Sequence, residues 1–157
     1  MMIALAALLG GAARAASNNA TGLPLPRFAS LRSAEVNVRA GPGARYPVEW
    51  VFVYRNMPVE ITAEYEQWRK VRDWQGTEGW VHQSMLSGRR NVIIIGVERS
   101  LYDEPVPNAR LVARLDERVL ARVLRCRDDW CRVEVAGMRG WISRANVWGV
   151  YDGEKVD

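Results

Sequence analysis

The chain has 157 residues, which is enough for one domain of ordinary size or for two small ones. Hydrophobic residues make up 48% of it, so a packed core is expected. The net charge is +4, but the arginines are mixed with acidic residues and form no run of five like charges. We therefore interpret the arginine excess as genome composition and a solvated surface, and predict no nucleic-acid partner.

The N-terminal stretch has the features of an export signal. Residues 1–16 form an apolar run that ends in Ala13-Arg14-Ala15, as secretory signals do. The run is too short to span a membrane as a helix. No Lys or Arg precedes Ile3, so either the true start of the signal lies upstream or the segment is an ordinary apolar tail. Residues 17–30 are polar, with Gly and Pro, and are predicted to be a linker.

The next segment, residues 31–88, carries the pattern of several short strands. Alternation over 35–39 predicts the first strand, and Gly and Pro break it at 41–43. Further strand-forming runs follow, separated by turn residues every 8–12 positions. This spacing is typical of a small all-β barrel or sandwich, and no stretch has helical periodicity.

A second segment of the same kind covers residues 92–150. The linker at 87–91 is short, so the two units are expected to touch. The run 92–97 is continuously apolar, which predicts a strand buried on both faces and suggests a position between the units. Residues 151–157 are predicted to be a polar tail.

The two segments share an internal repeat. Trp68 and Trp130 are 62 positions apart, and the Gly-Trp pair at 79–80 recurs at 140–141. Self-similarity at a fixed period indicates a repeated structural unit. The chain is therefore predicted to contain two copies of one small domain.

Two cysteines flank a predicted turn in the second copy. Asp128-Asp129 separates two β-prone runs, so a two-residue hairpin turn is predicted there. This turn places Cys126 opposite Cys131 at a non-hydrogen-bonded pair, where the two strands come closest. The separation suits a disulfide, with two unlinked thiols as the alternative. A bridge over so short a loop stabilises by about 2 kcal/mol.

Side-chain alternation assigns a face to each residue of the hairpin. The predicted core face carries Leu124, Cys126, Cys131, Val133 and Val135. Trp130 lies on the opposite face, as does Trp68 in the first copy. Each Trp is either a platform for a ligand or a packing residue covered by a neighbouring loop.

The motifs of both copies resemble a known family. Residues 36–42 (VNVRAGP), Trp68-x-x-Val71 and 79–81 (GWV) are similar to the bacterial SH3 (SH3b) pattern. The second copy, with Leu101-Tyr102-x-x-Pro105 and Trp130-Cys131-x-Val133, resembles a subclass from exported alphaproteobacterial proteins. The resemblance covers residues 31–150 and implies an all-β protein of two tandem SH3-like five-stranded barrels. It also implies non-catalytic binding of cell-wall peptides, but the second copy lacks the Asn-x-Arg-x-Gly segment.

A binding groove is predicted between the first loop and the hairpin of the first copy, lined by Asn37, Arg39, Tyr46 and Trp68. An aromatic platform beside an arginine suits a peptide that carries a carboxylate. No catalytic site is predicted, because His82 is interpreted as a surface residue and both cysteines as bridged. A metal site would need about four ligands, so no metal and no cofactor is expected.

Three functions are consistent with this sequence. The first is a non-catalytic binding module in the periplasm or secreted, which recognises a peptide such as a peptidoglycan stem or an envelope protein. The second is a scaffold on which envelope proteins assemble. The third is a small cell-wall hydrolase, for which the acidic pairs give little support because they sit in turns or alternate along a strand.

Overall fold

The structure is a computed structural model that describes residues 19–157, so the predicted signal segment 1–16 lies outside the described residues. It contains two antiparallel seven-stranded sheets, one after the other along the chain. The first is built from β1 (Arg27–Leu31), β2 (Val36–Arg39), β3 (Val48–Phe52), β4 (Pro58–Tyr65), β5 (Trp68–Arg72), β6 (Glu78–His82) and β7 (Leu86–Ser87). The second is built from β8 (Asn91–Ile94), β9 (Arg99–Tyr102), β10 (Leu111–Leu115), β11 (Leu120–Arg127), β12 (Trp130–Val135), β13 (Met138–Ser143) and β14 (Val147–Trp148).

The two sheets have the same strand order. The first runs β3-β2-β6-β5-β4-β1-β7, and the second runs β10-β9-β13-β12-β11-β8-β14, which is the same order shifted by seven strands. This confirms the prediction of two tandem SH3-like barrels. The five strands expected for each barrel correspond in the first to β2–β6, and β1 and β7 extend that sheet. No helix in the described part of the chain is long and apolar enough to cross a membrane.

Each barrel has its own hydrophobic core. In the first barrel the core is formed by Ala29, Leu31, Val36, Val38, Phe52, Met57, Val59, Ile61, Val71, Val81 and Leu86. In the second it is formed by Val92, Ile94, Leu101, Leu115, Ala121, Val123, Cys126, Cys131, Val133, Ile142 and Val147. Burial of these apolar side chains is the main driving force for folding of each barrel.

The repeated Gly-Trp motif has a steric origin. A Cβ added to Gly79 would overlap the side chain of Val38, and one added to Gly140 would overlap Leu101. Gly79 lies on β6, which pairs with β2, and Gly140 lies on β13, which pairs with β9, so the backbones approach closely there. The motif is therefore a requirement of barrel closure in both copies.

The predicted hairpin and its disulfide are present. β11 pairs with β12 so that Arg127 faces Trp130 and Cys126 faces Cys131, across the turn at Asp128-Asp129. Cys126 and Cys131 form a disulfide with their Cα atoms 4.1 Å apart.

The placement of Leu124 on the core face is wrong. The register shifts between Val123 and Arg125, which is a β-bulge at Leu124. The extra residue turns Val123 inward with Cys126 and leaves Leu124 half-buried outside the core. The first barrel has the same irregularity at Thr62, 62 positions earlier.

The described part of the predicted linker 17–30, from residue 19 onward, contributes to the first barrel. β1 begins at Arg27, and Thr21 donates hydrogen bonds from its backbone N–H and its hydroxyl to the carboxylate of Glu64, both at 2.8 Å. Arg27 adds an ion pair to the same carboxylate at 2.7 Å. Sequence patterns did not reveal this because the partners are more than 35 residues away.

The predicted polar tail 151–157 also packs on the barrels. Val156 and Cys126 exchange backbone hydrogen bonds of 2.7 and 3.2 Å, which places a short β-bridge beside the disulfide. Glu154 accepts two hydrogen bonds from the guanidinium of Arg90, at 2.6 and 3.0 Å. Burial raises the pKa of Glu154, but these bonds outweigh it and leave that pKa below its ordinary value.

The two barrels touch, as the short linker predicts. Phe28 of β1 packs against Trp148 and Tyr151, with ring centroids 4.9 and 4.5 Å away. The Tyr151 hydroxyl donates to Glu60 of the first barrel at 3.1 Å. Burial and the nearby Glu60 carboxylate raise the pKa of Tyr151 well above its ordinary value. The contact therefore combines aromatic packing with a hydrogen bond to a carboxylate.

The apolar run 92–97 is a buried strand in its first half only. All four residues of β8 are buried, and β8 packs against β4 of the first barrel. The strand ends at Ile94, and Gly96 has a φ of 86°, which turns the chain outward. Val97 is consequently exposed.

Candidate binding grooves on the two barrels

A groove of about 290 Å³ lies on the first barrel beside Trp68. It is lined by Glu35, Asn37, Arg39, Trp68, His82 and Met85. Asn37 and Arg39 come from β2, where alternation directs both side chains away from the core residues Val36 and Val38. Three of the four residues predicted for this site therefore meet in one groove.

Arg39 is held in place by the loop that follows β2. Its Nη1 donates to the carbonyl oxygens of Ala44 and Tyr46, at 3.1 and 2.8 Å. The guanidinium therefore fixes the loop and lines the groove at the same time.

Tyr46, the fourth predicted residue, does not line this groove. Its ring packs on Gly41, where an added Cβ would overlap the ring. The guanidinium of Arg45 stacks over the same ring at 5.4 Å. Tyr46 thus contributes its backbone carbonyl to Arg39 and its ring to the loop.

Trp68 is neither fully covered nor fully open. It is half-buried and lies opposite His82 in the ladder between β5 and β6. The two rings meet edge to face, with centroids 5.4 Å apart. One neighbour is thus a strand residue rather than the covering loop considered from the sequence, and Trp68 still lines the groove.

His82 was predicted to be a plain surface residue, and the structure gives it two further roles. Its Nδ1 accepts from the backbone N–H of Ser84 and caps the 3₁₀ turn Gln83–Met85. Its Nε2 lies 3.3 Å from the amide oxygen of Gln67. The place of His82 opposite Trp68 could have been predicted from the sequence. The hairpin turn at 66–67 and the turn after β5 together fix which residues of β5 and β6 face each other.

The second barrel has a groove at the corresponding place, with a volume of about 380 Å³. It is lined by Glu98, Arg99, Ser100, Tyr102, Pro107, Trp130, Ser143 and Asn146. By strand register, Trp130 corresponds to Trp68, Tyr102 to Arg39 and Ser143 to His82. Tyr102 packs edge to face on Trp130, with centroids 6.1 Å apart. An aromatic ring therefore stands where the first groove has a guanidinium.

Between residues 19 and 157, no group of three or more His, Cys, Asp or Glu side chains is placed to hold a metal ion. The ring of His82 contacts a serine and a glutamine. Cys126 and Cys131 are joined to each other. Both grooves offer stacking, hydrogen bonding and an arginine charge, which comes from Arg39 in the first groove and from Arg99 in the second.

A protein-family model described as a bacterial SH3 domain matches residues 32–88 and 96–149. Among solved structures, the chain is similar to NlpC2 and NlpC1 from Trichomonas vaginalis, with 16% and 17% identity and a TM-score of 0.36 for each. These matches cover 78% and 80% of this chain and 48% and 46% of the other chains. An NlpC/P60 family protein from Bacillus cereus matches with 12% identity and a TM-score of 0.35, over 77% of this chain and 55% of the other.

The chain thus spans about half the length of the solved structures that it matches. No curated protein matches it.

Proposed function

The chain belongs to the bacterial SH3 domain family, and from this premise we propose that it is an exported, non-catalytic binding module. The groove on the first barrel binds a peptide that carries a carboxylate, such as a peptidoglycan stem peptide or a segment of an envelope protein. The observation that carries this proposal is the meeting of Asn37, Arg39 and Trp68 in one groove.

The three side chains offer complementary interactions. Trp68 supplies an apolar face, Asn37 an amide, and Arg39 a cation that forms charge-assisted hydrogen bonds with carboxylates. The bonds from Arg39 to the loop carbonyls hold the guanidinium in position before a ligand arrives. Such preorganisation reduces the entropy cost of binding.

The disulfide supports a location outside the cytoplasm. Disulfides persist in oxidising compartments such as the periplasm, and reducing systems remove them in the cytosol. Cys126 and Cys131 are both buried, as expected of a structural bridge rather than a redox-active one. The signal-like segment 1–16 is consistent with the same location.

Binding to purified sacculi tests the proposal. We expect the wild-type chain to sediment with sacculi, and Trp68→Ala to reduce the bound fraction at least tenfold because the apolar face is lost. Trp130→Ala is the matched control, since it removes the corresponding Trp of the second barrel. No retention of wild type would exclude peptidoglycan as the ligand, and equal loss for both variants would exclude the groove of the first barrel as the binding site.

The role of the carboxylate is tested with a synthetic stem peptide and its C-terminal amide. Wild type is expected to bind the acid more tightly, by about tenfold, which corresponds to about 1.4 kcal/mol. Arg39→Gln should abolish this preference while leaving residual binding through Trp68. Equal affinity of wild type for acid and amide would exclude Arg39 as the carboxylate partner.

A scaffold role is the second candidate, and one observation favours it. The edge strand β3 exposes large apolar side chains to solvent, which is typical of a protein-interaction surface. Cross-linking in cells distinguishes the two roles, because a scaffold is captured with a protein and a cell-wall module with sacculi.

A further inference from the structure

The free edge of the first sheet exposes a run of large apolar side chains. Among the described strands, β3 is the terminal strand and pairs only with β2. Trp50, Val53 and Tyr54 are 57%, 56% and 64% exposed, and Val48 and Val51 are exposed as well. Natural proteins usually blunt an open edge with charges, prolines or a covering segment, because it pairs readily with other chains.

The second barrel protects the corresponding edge. By register, Ala113 of β10 corresponds to Trp50 and Arg114 to Val51. Arg114 pairs with Glu98 at 3.1 Å, so this edge carries a charge where the first barrel carries a valine. The apolar edge is therefore a property of the first barrel and not of the repeated fold.

A groove of about 340 Å³ adjoins the apolar edge and continues to the second barrel. Its apolar lining comes from Val51, Val53, Tyr54 and Trp74 of the first barrel and from Ile93 and Leu120 of the second. The guanidinium of Arg118 stacks over the ring of Trp74 at 5.3 Å, across the junction of the barrels. The groove is thus continuous with the contact between the barrels, and its two walls are held together.

The accessible charged residues named around this surface carry a net positive charge, since Arg45, Arg55 and Arg118 outnumber Glu49 and Glu117. Asp73 lines the groove, but it is buried and its Oδ1 accepts from the backbone N–H groups of Gln75 and Thr77. Arg118 also lines the groove, and 63% of its side chain is exposed; its Nε lies 3.9 Å from the carboxylate of Glu117, which is too far for a hydrogen bond. Arg45 and Arg55 flank β3 in the sequence, with Glu49 as the one acidic residue between them. A second copy of the chain would bring the same arginines, so the charge favours an acidic partner instead.

We propose that the open edge of β3 and the adjoining groove bind an extended segment of a partner protein that is apolar at alternate positions and carries acidic residues. The segment adds to β3 as a strand, so backbone hydrogen bonds provide affinity and side chains in the groove provide specificity. A carboxylate of the segment pairs with Arg118. This surface is separate from the groove at Trp68, and the inference rests on the scaffold role named above as the second candidate, for which it defines the partner.

A library of random twelve-residue peptides displayed on phage, selected against the full chain, tests the inference. We expect enriched peptides in which apolar residues alternate and at least one residue is acidic. Trp50→Thr combined with Val51→Thr should weaken their binding at least tenfold, and Trp50 and Val51 are exposed enough for the fold to tolerate the change. Leu111→Thr, at the corresponding edge of the second barrel, is the matched control and should leave binding unchanged.

Two further measurements distinguish strand addition from non-specific hydrophobic binding. Arg118→Glu should change the selected peptides from acidic to basic, whereas Arg110→Glu beside β10 should not. Bound peptide should slow hydrogen exchange at amides of β3 and leave those of β10 unaffected. Unaltered exchange at β3 would show that no strand is added.

Three results would overturn the inference. The first is a selection without enrichment, or one in which the β3 substitutions have no effect. The second is loss of peptide binding in Trp68→Ala, which would assign the peptides to the other groove. The third is a concentration-dependent dimer that the β3 substitutions abolish, which would make a second copy the occupant.

Discussion

The two barrels use different chemistry at the same position of the same hairpin. In β4 and β5, Glu64 faces Arg69 directly behind the closing pair of the turn. In β11 and β12, the corresponding pair is Cys126 and Cys131. All four side chains are buried. The charges of Glu64 and Arg69 therefore need partners, and the two cysteine sulfurs are joined in a disulfide. One barrel therefore closes its hairpin with charge, and the other with a covalent bond.

A terminal segment of the described chain reinforces each hairpin at this point. Thr21 and Arg27 bind the carboxylate of Glu64. On the other barrel, Val156 pairs through its backbone with Cys126. A buried carboxylate needs donors to remain charged, while a disulfide needs none. The N-terminal segment accordingly supplies a backbone N–H, a hydroxyl and a guanidinium to Glu64, while the C-terminal segment supplies a backbone bridge to Cys126. The comparison teaches that the stability of the first hairpin depends on pH, whereas that of the second depends on redox conditions.

Removal of the buried carboxylate is the strongest way to break this comparison. Glu64→Ala leaves Arg69 buried without its carboxylate and releases Thr21 and Arg27. Breaking a buried ion pair from one side is expected to lower the free energy of unfolding by about 3 kcal/mol. Guanidinium denaturation measures the change, and Glu104→Ala at an exposed carboxylate is the control. A loss below about 1 kcal/mol would mean that water replaces the carboxylate at little cost.

Removal of the disulfide is expected to have the next largest effect. Cys126→Ser with Cys131→Ser should lower the free energy of unfolding by about 2 kcal/mol, because the short loop is no longer closed in the unfolded chain. Wild type in reductant should show the same loss, and Glu64→Ala should retain its full response to reductant. A reductant effect that disappears in Glu64→Ala would show that the two hairpins do not act independently.

Acid sharpens the comparison without a substitution. Burial raises the pKa of Glu64, but hydrogen bonds from Thr21 and Arg27 outweigh it and hold the pKa below its ordinary value of 4.5. A carboxylate whose pKa is lower in the folded state stabilises the fold at any pH above its pKa in the unfolded chain. This stability is lost as the pH falls through its pKa in the folded state. Unfolding free energies measured downward from pH 6 should therefore fall below about pH 5. Glu64→Gln should reduce this loss of stability at low pH but not abolish it, because Glu154 also has a lowered pKa. The variant with both cysteines replaced by serine should lose as much stability at low pH as wild type does.

The smallest effect is expected at the N-terminal segment. Thr21→Val removes the hydroxyl that donates to Glu64 and keeps the shape of the side chain and its backbone N–H. The loss should be about 1 kcal/mol, the usual net contribution of one hydrogen bond. The same substitution in the Glu64→Gln background should cost less, and an equal cost in both backgrounds would contradict the assigned partner.

Local patterns in the sequence predicted the hairpin of the second barrel well. A two-residue turn at Asp128-Asp129 fixes which residues face each other, and that alone places Cys126 opposite Cys131. The bulge at Leu124 was not predictable in this way, because alternation assumes one residue per partner. The contacts of Thr21 with Glu64 and of Val156 with Cys126 join residues far apart in sequence, and no short-range pattern contains them.

The candidate site was predictable to a similar degree. Alternation places Asn37, Arg39 and Trp68 on outward faces, and in the structure the three line one groove; their role in binding stays a prediction. Tyr46 is also predicted to line the groove, but its ring packs on Gly41 instead. The exposed edge at Trp50 was not predicted, because a strand rich in apolar residues is normally interpreted as buried. Only the strand order of the folded sheet shows that β3 lies at its edge.

The segment that joins the barrels forms hydrogen bonds with residues of both. Ser30 donates to the carbonyl of Arg89 and accepts from the amide of Asn91, while Arg90 donates to the carbonyl of Gly149. The groove at Trp68 and the second barrel are therefore held at one separation, which a loose tether would leave variable. A long polymer bound at Trp68 would consequently meet the second barrel always at the same place and in the same orientation.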